Sequence, residues 1–446
     1  MNAILTFFLF LLSVLCAHGW VMKAVERAKS HHTYVTRAVS SDEVEVMFSV
    51  KHSNANKLEE ELMKVSDPYS PSYGQHWTKQ EVIDFTKNDA STAAIREYFD
   101  RNGITEVKAT DDKLYLFARA SVAIWESLLG AEFHEYVNGN TQKKLLRSDE
   151  MTIPAVLHDH VTHLSGVVNF PPPVEWHGTI HTVDVDETKS TTTTASSSTK
   201  AVAGPMNSYN KAAAKSAAAN MVSHRMEAGL LSRGKNKQRV MHKTRTAIKD
   251  AHRASASSSL SSRRLQAEPD DPSNPDAPFL KPPFLLDYLG IDNTYLTDKS
   301  ANQEVYAALK QNFDPDDLKK FQNMFNLVEK EALTLGETGH DVVGGCAGQK
   351  LNNCLEGTLD IQYIMATAQG CDTYFDYDAE YEHGWLVIWA QTLNAREDPI
   401  SVASISYGAP ESAMSGPDLD TFATEAMKLG LRGTFLPLFL TPLGLI

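Results

Sequence analysis

The sequence predicts two folded parts that mix helix and strand, joined by a segment too polar to form a core. The 446 residues fit two to three domains. Hydrophobic residues make up 42% of the chain, enough for sizeable cores. Strand and helix patterns alternate up to about Pro173, stop over His181–Pro275, and resume at Pro282.

The first part opens with an alternating strand, Glu43–His52, in which Val44, Val46, Phe48 and Val50 share one face. The elements predicted after it are helices Ala55–Val65, Lys79–Phe85 and Ser91–Asn102, strands Thr105–Thr110 and Lys113–Ala118, helix Val122–Leu129, and a hairpin of Phe133–Val137 with Lys143–Leu146. This order predicts an α+β sandwich of the ferredoxin-like kind.

The middle segment is of low complexity, with runs such as Thr191–Thr194 and Ser196–Ser198. From Glu187 to Arg264 it carries 15 Lys and Arg against 3 Asp and Glu. We predict a disordered or transiently helical linker whose basic clusters form a solvated coil, a processing region or a polyanion-binding segment. Because the whole chain has a net charge of −14, nucleic acid is not the expected partner.

The N-terminus, Met1–Gly19, has the pattern of a signal peptide, although a buried N-terminal element is the alternative. It predicts entry into the secretory pathway, and no later apolar run is long enough to predict a membrane span. Without this segment, Cys346, Cys354 and Cys371 remain. We expect one disulfide, Cys346–Cys354 or Cys354–Cys371, and one leftover thiol.

The second part alternates helices with a buried strand, which predicts an α/β domain with a mainly parallel sheet. The predicted elements are helices Asn302–Gln311, Leu355–Ala368, Glu382–Leu393 and Thr421–Leu429, a helix starting at Asp314-Pro315, and strand Val402–Ser406. Two side-chain groups are given structural rather than functional interpretations. We expect His158, His160 and His163 on an exposed helix, and Trp385 with Trp389 in a core.

Glu356 and Asp360 stand four residues apart on one helix face, directly before an apolar run. In a solvated helix such a pair of like charges is slightly unfavourable. In a site the two carboxyl groups would share protons, and one pKa would rise, which suits acid–base chemistry.

Three motifs carry a family resemblance. Glu356–Met365 (EGTLDIQYIM) resembles a helix of the sedolisin family of serine-carboxyl peptidases, which includes the tripeptidyl peptidases, and Ser404–Gly408 (SISYG) resembles its substrate-binding strand. Ser66–Thr78 (SDPYSPSYGQHWT) is similar to the activation-domain signature of the same family. The resemblance runs from Ser41 to about Gly433, except for the linker.

The resemblance implies a Ser-Glu-Asp triad in a subtilisin-like α/β domain. Glu356 would be the general base, Asp360 would orient it, and Ser406, Tyr407 and Gly408 would bind the substrate backbone. It implies a zymogen of an acid-acting peptidase, a tripeptidyl-peptidase or endopeptidase that acts on peptides or proteins, with its own pro-domain as intramolecular inhibitor. The expected compartment is extracellular, lysosomal or vacuolar.

The sequence departs from the family after Gly433. The Ser-Gly-Asp oxyanion segment, the Gly-Thr-Ser nucleophile motif and the calcium loop of the complete family domain have no counterpart, which predicts a truncated, inactive chain. The alternative is a non-catalytic protein whose pro-domain binds and restrains a full-length relative. The predicted domains are a signal peptide (1–19), an activation pro-domain (20–175), a basic linker (176–275) and a partial peptidase domain (276–446).

Overall fold

A computed structural model describes much of both predicted folded parts. The described residues are 20–139, 142–171, 281–291, 301–308, 311–336, 346, 354–378, 386–408, 411–437, 440–441 and 444–445. The predicted signal peptide and the predicted linker lie outside them. We call residues 20–171 the N-terminal part and residues 281–445 the C-terminal part. Among the described helices, none is both long and apolar enough to cross a membrane.

The N-terminal part mixes helices with antiparallel sheets. Its elements are β1 (Trp20–Lys23), α1 (Glu26–Lys29), β2 (His32–Arg37), β3 (Glu43–Val50), α2 (Leu58–Ser66), α3 (Lys79–Thr86), α4 (Asp89–Arg101), β4 (Glu106–Ala109), β5 (Tyr115–Ser121), α5 (Val122–Leu129), β6 (His134–Asn138), β7 (Lys144–Arg147), β8 (Glu150–Ile153) and β9 (Val161–Ser165). The main sheet has the order β4-β5-β3-β9, and smaller sheets pair β2-β6-β7 and β1-β8. Strand β3 runs antiparallel to both β5 and β9.

The alternating residues of β3 form the centre of this core, as the sequence predicts. Phe48 is fully buried and lies edge-on to Phe99 of α4, with ring centroids 4.8 Å apart. Trp125 of α5 is also fully buried, and its indole nitrogen donates to the carbonyl of Val44 at 2.9 Å. The indole therefore packs in the core without leaving its polar atom unpaired.

The C-terminal part is built on a parallel sheet. Its elements are α6 (Pro282–Leu289), β10 (Asn302–Ala308), α7 (Pro315–Met324), β11 (Leu333–Gly336), α8 (Leu355–Thr367), β12 (Asp372–Asp378), α9 (Leu386–Ala395), β13 (Val402–Ile405), α10 (Gly416–Leu431), β14 (Leu440–Thr441) and β15 (Gly444–Leu445). The sheet has the order β11-β12-β10-β13, and each neighbouring pair is parallel. The predicted mainly parallel sheet is confirmed.

The helix predicted over Asn302–Gln311 is wrong, because this segment contains the inner strand β10. Its Ala, Gln and Glu residues favour helix, but every residue from Gln303 to Ala308 is buried. Burial on both faces is typical of a strand inside a parallel sheet. On one face, Val305 lies in a cluster with Leu318 of α7 and Ile361 of α8.

The cysteines and Trp389 lie as the sequence predicts, whereas the histidines do not. Cys346 and Cys354 form a disulfide, and Cys371 is a buried free thiol. The exposed helix expected for the three histidines is wrong, because His163 lies on β9 and is fully buried. Trp389 is buried in a core as predicted, whereas Trp385 lies outside the described residues.

Candidate active site

Helix α8 carries Glu356 and Asp360, and its first turn lies very close to the end of β10. A Cβ atom added at Gly357 would lie 2.6 Å from the carbonyl oxygen of Asn312 and 3.2 Å from the Phe375 ring. The backbone N–H of Glu356 donates to Oε1 of Gln311 at 3.2 Å. The small residue after Glu356 therefore lets the helix start directly against the sheet, and the Cys346–Cys354 disulfide ends just before that start.

The carboxyl group of Glu356 is buried and that of Asp360 is half-buried. Glu356 is 8% exposed, and Asp360 follows one turn later on the same helix. Burial raises the pKa of Asp360 to about 7, the side chain of Ser406 opposes this by hydrogen bonding the carboxylate, and the charge of Glu356 reinforces it. In mildly acidic solution Asp360 therefore carries a proton next to a second carboxyl group, which is an arrangement suited to proton transfer.

The segment after β13 reaches the same place. Ser406 contacts Asp360, so the structure brings together two of the predicted motifs. Tyr407 is 4% exposed, and its hydroxyl donates to the carbonyl of Ala308 at 3.1 Å. Burial raises the pKa of Tyr407, so the phenol stays neutral. Because the Tyr407 side chain points into the core, a peptide could be bound here only through the main chain or through Ser406 and Gly408.

The signature Ser66–Thr78 of the N-terminal part contacts helix α10. The backbone N–H of Trp77 donates to the carbonyl of Leu431 at 2.8 Å. The ring of His76 lies 3.0 Å from the position of a Cβ at Gly433, whose φ of +91° favours glycine. Leu62 of α2 lies against Gly430 on the same helix end. The motif thus fixes the N-terminal part to the C-terminal part.

A buried charge network joins the same two parts. Glu425 of α10 is fully buried and contacts Lys428 at 2.8 Å, the Tyr115 hydroxyl at 2.8 Å and His52 at 3.4 Å. Lys428 also reaches Asp112 at 3.1 Å. Burial opposes ionisation of Glu425, but the charge of Lys428 and the hydrogen bond with His52 hold its pKa at about 2.

A second contact between the parts involves the buried His163. Its Nε2 lies 3.0 Å from Oδ1 of Asp418, and its Nδ1 lies 3.2 Å from the hydroxyl of Thr421. Burial by itself would raise the pKa of Asp418. The hydrogen bond and the charge of His163, together with hydrogen bonds from Ser415 and Asn169, hold this pKa below its usual value. His163, which was predicted to be exposed, is therefore buried between the N-terminal part and the C-terminal part. We call the contacts between these two parts the docking surface.

Sequence reasoning missed several residues that support the site. Gln311 and Asn312 could not be placed, because the segment before them was predicted as helix rather than strand. Gly357 gave a usable signal, since a glycine within a helix indicates a close backbone approach. The contacts of Glu425 with His52 and Tyr115, and of His163 with Asp418, join residues more than 200 positions apart, so no local sequence pattern predicts them.

Comparison with known proteins supplies a family context. Residues 30–170 match the family model "Pro-kumamolisin, activation domain". The chain is similar to tripeptidyl-peptidase 1 of Dictyostelium discoideum, at 25% identity over 405 residues, which is 89% of this chain and 56% of that protein. It is 32% identical to tripeptidyl-peptidase 1 of Mus musculus and of Homo sapiens over 139 residues, 30% of this chain and 25% of those proteins. The chain thus spans little more than half of the Dictyostelium protein.

Proposed function

We propose that this chain is the zymogen of an acid-acting serine-type peptidase of the sedolisin family. Support comes from the match of residues 30–170 to an activation-domain model and from the similarity to tripeptidyl-peptidase 1 proteins. The enzyme would be a tripeptidyl-peptidase or an endopeptidase that hydrolyses peptide bonds in peptides or proteins. The proposed organisation is a signal peptide (1–19), the activation domain (20–175), a basic linker (176–275) and part of a peptidase domain (276–446). Entry into the secretory pathway would lead outside the cell or to a lysosome or vacuole.

The strand orders of the two parts support a more specific fold for each of them. The order β4-β5-β3-β9, with helices after β3 and after β5, supports a ferredoxin-like activation domain. The parallel sheet with helices on both faces supports a subtilisin-like peptidase domain.

The observation that carries the proposed function is the pair of Glu356, which is buried, and Asp360, which is half-buried beside Ser406. Glu356 would take the proton of a serine nucleophile, and Asp360 would orient Glu356 and share its proton. A carboxylate base suits acid, because a histidine base would be protonated there and could not accept a proton. The main chain of Ser406–Gly408 would pair with the substrate as an added strand.

The N-terminal part would act as the intramolecular inhibitor. Support comes from the contacts of His76 and Trp77 with the end of α10 and from the buried Glu425–Lys428 network. Since these contacts form within one chain, they restrain the C-terminal part without a separate inhibitor.

The printed sequence holds no Gly-Thr-Ser motif, so we expect these 446 residues alone to be inactive. The same docking contacts favour a second candidate function, in which the N-terminal part binds and restrains a full-length relative. Within the described ranges, no three His, Cys, Asp or Glu side chains are placed to hold a metal ion. Calcium stays an expectation for the complete family domain.

Hydrolysis of a fluorogenic tripeptide substrate from pH 3 to pH 7 tests the proposal. The proteins to compare are the 446 residues alone and an extended protein, in which residues 1–433 are followed by the part of the Dictyostelium relative that lies beyond the aligned region. We expect activity in acid only for the extended protein.

Three variants of the extended protein test the residues. Glu356→Gln should lower kcat by roughly 10²–10⁴-fold, because it removes proton transfer. Asp360→Asn should lower kcat by a smaller factor, because Asp360 would orient the base rather than take the proton from serine. Glu331→Gln, at an exposed site, is the matched control and should leave activity unchanged. Full activity of Glu356→Gln would remove this residue from the mechanism.

A further inference from the structure

The parallel sheet contains a second pair of acids that the proposed reaction does not use. Glu304 of β10 stands opposite Tyr374 of β12 in the parallel register, so Asp376, two residues further on, lies on the same face as Glu304. Glu304 is fully buried and Asp376 is 7% exposed. Each carboxyl group shifts the pKa of the other, so the two acids are close neighbours in the sheet.

The surroundings of Glu304 favour a protonated carboxyl group. Its Oε1 accepts from the indole nitrogen of Trp389 at 2.7 Å. Its Oε2 is buried, and no donor within the described part of the chain reaches it. An ionised carboxylate is an acceptor only, so two carboxyl groups can hydrogen bond only when one of them is protonated.

The charges around the pair do not neutralise it. Arg396, the cation near it, lies 4.9 Å above the ring of Tyr374 and is shared by both acids. Asp378 adds a further negative charge close to Asp376 and accepts the hydroxyl of Tyr306 at 3.0 Å. Among the described residues that act on the pair, one cation faces three acids, which favours retention of a proton.

We propose that Glu304 and Asp376 form a proton-binding site that makes the β10–β12 pairing more stable in acid than at neutral pH. Burial, reinforced by the charge of Asp376, raises the pKa of Glu304, and burial with the charge of Asp378 raises the pKa of Asp376. A raised pKa means that the folded sheet keeps a proton that the unfolded chain releases. The resulting stability is complete below the unfolded carboxyl pKa of about 4 and is lost as pH rises toward the folded value.

The acid pair lies on the sheet face that packs against Trp389 of α9, and helix α8 with the candidate active site covers the opposite face. Strand β10 leads to Gln311, which accepts the N–H of Glu356, and Phe375 of β12 packs under Gly357. A weaker β10–β12 pairing at neutral pH would therefore loosen the support of Glu356. The stability effect itself does not depend on whether Glu356 is catalytic.

Hydrogen exchange of the full chain, followed by mass spectrometry between pH 5 and pH 8, tests the proposal. Peptides that cover β10 and β12 report on local opening after correction for the intrinsic exchange rate. In the wild type, protection should fall with rising pH, by up to about tenfold per pH unit while the closed sheet holds one more proton than the open state.

Two variants remove the shared proton and keep the shape. In Glu304→Gln the amide can donate to Asp376 and still accept from Trp389, and Asp376→Asn is its mirror image. Either variant should flatten the pH dependence of protection in β10 and β12. If one variant does not fold, the other still tests the proposal. Glu331→Gln is the matched control and should keep the wild-type slope. A wild-type protection that does not change with pH, or a folded variant with the wild-type slope, would overturn the proposal.

Discussion

Removal of Lys428 tests whether the buried charge network holds the two parts together. Lys428 is 1% exposed and neutralises Glu425, which is fully buried, and Asp112. In Lys428→Met the apolar stem is retained while both carboxylates lose their cation. Removing one partner of a buried pair costs roughly 3–5 kcal/mol, because the other charge stays buried and uncompensated.

The matched control is Lys64→Met on α2. Lys64 also contacts two acids, Glu61 at 2.8 Å and Glu60 at 3.1 Å, but its side chain is 46% exposed. Exposed pairs are well solvated, so this variant should unfold at nearly the same urea concentration as the wild type. The comparison separates the effect of burial from the loss of a lysine.

The measurement is urea unfolding at pH 7 and pH 3, followed by tryptophan fluorescence. The pKa of Glu425 is lowered from 4.5 to about 2, so its contribution, about 3 kcal/mol, is complete above pH 4.5 and is lost as pH falls toward 2. In Lys428→Met, Glu425 can take up a proton, so the deficit should be largest at pH 7 and smaller at pH 3. If Lys428→Met unfolds together with Lys64→Met at pH 7, the network does not stabilise the docking.

Two further predictions concern the start of α8. Gly357→Ala should lower the stability of the folded chain by roughly 1–3 kcal/mol, because the added Cβ overpacks against Asn312. Gly416→Ala is the control and should leave stability unchanged, since a Cβ there meets nothing within 4 Å. Thermal unfolding distinguishes the two variants, and an unchanged Tm for Gly357→Ala would contradict the close approach. Reduction of the Cys346–Cys354 disulfide, which spans 8 residues, should cost roughly 2–3 kcal/mol and increase hydrogen exchange in α8. In Cys354→Ser, α8 should exchange hydrogen as fast as in the reduced wild type, with or without reductant. If reductant does not change hydrogen exchange in α8 of the wild type, the disulfide does not stabilise this helix.

Local patterns predicted the elements whose own residues decide their structure. The helix predicted over Leu355–Ala368 is α8, and the alternation of Glu43–His52 is β3. The i, i+4 spacing of Glu356 and Asp360 was visible in the sequence, because a helix fixes that relation without tertiary contacts. The roles of these two residues stay predictions.

Relations across the chain were not visible. Asn302–Gln311 is rich in helix formers, and only its burial between two strands makes it β10. The contact of Ser406 with Asp360 depends on how β13 and α8 pack, which neither segment encodes alone. His163 lies in a polar stretch that suggests exposure, yet its partner Asp418 comes from the other part.

Two buried glutamates show how neighbours, rather than burial, decide the direction of a pKa shift. Glu425 and Glu304 are both fully buried, which by itself would raise both pKa values. Lys428 lies 2.8 Å from Glu425 and keeps it ionised, whereas the largest charge effect on the pKa of Glu304 comes from another acid, Asp376. Acid therefore removes the negative charge of Glu425, which stabilises the docking surface. It also supplies the proton that stabilises the Glu304–Asp376 pair in the β10–β12 pairing. A fall in pH should thus weaken the hold of the N-terminal part while it strengthens the sheet under Glu356.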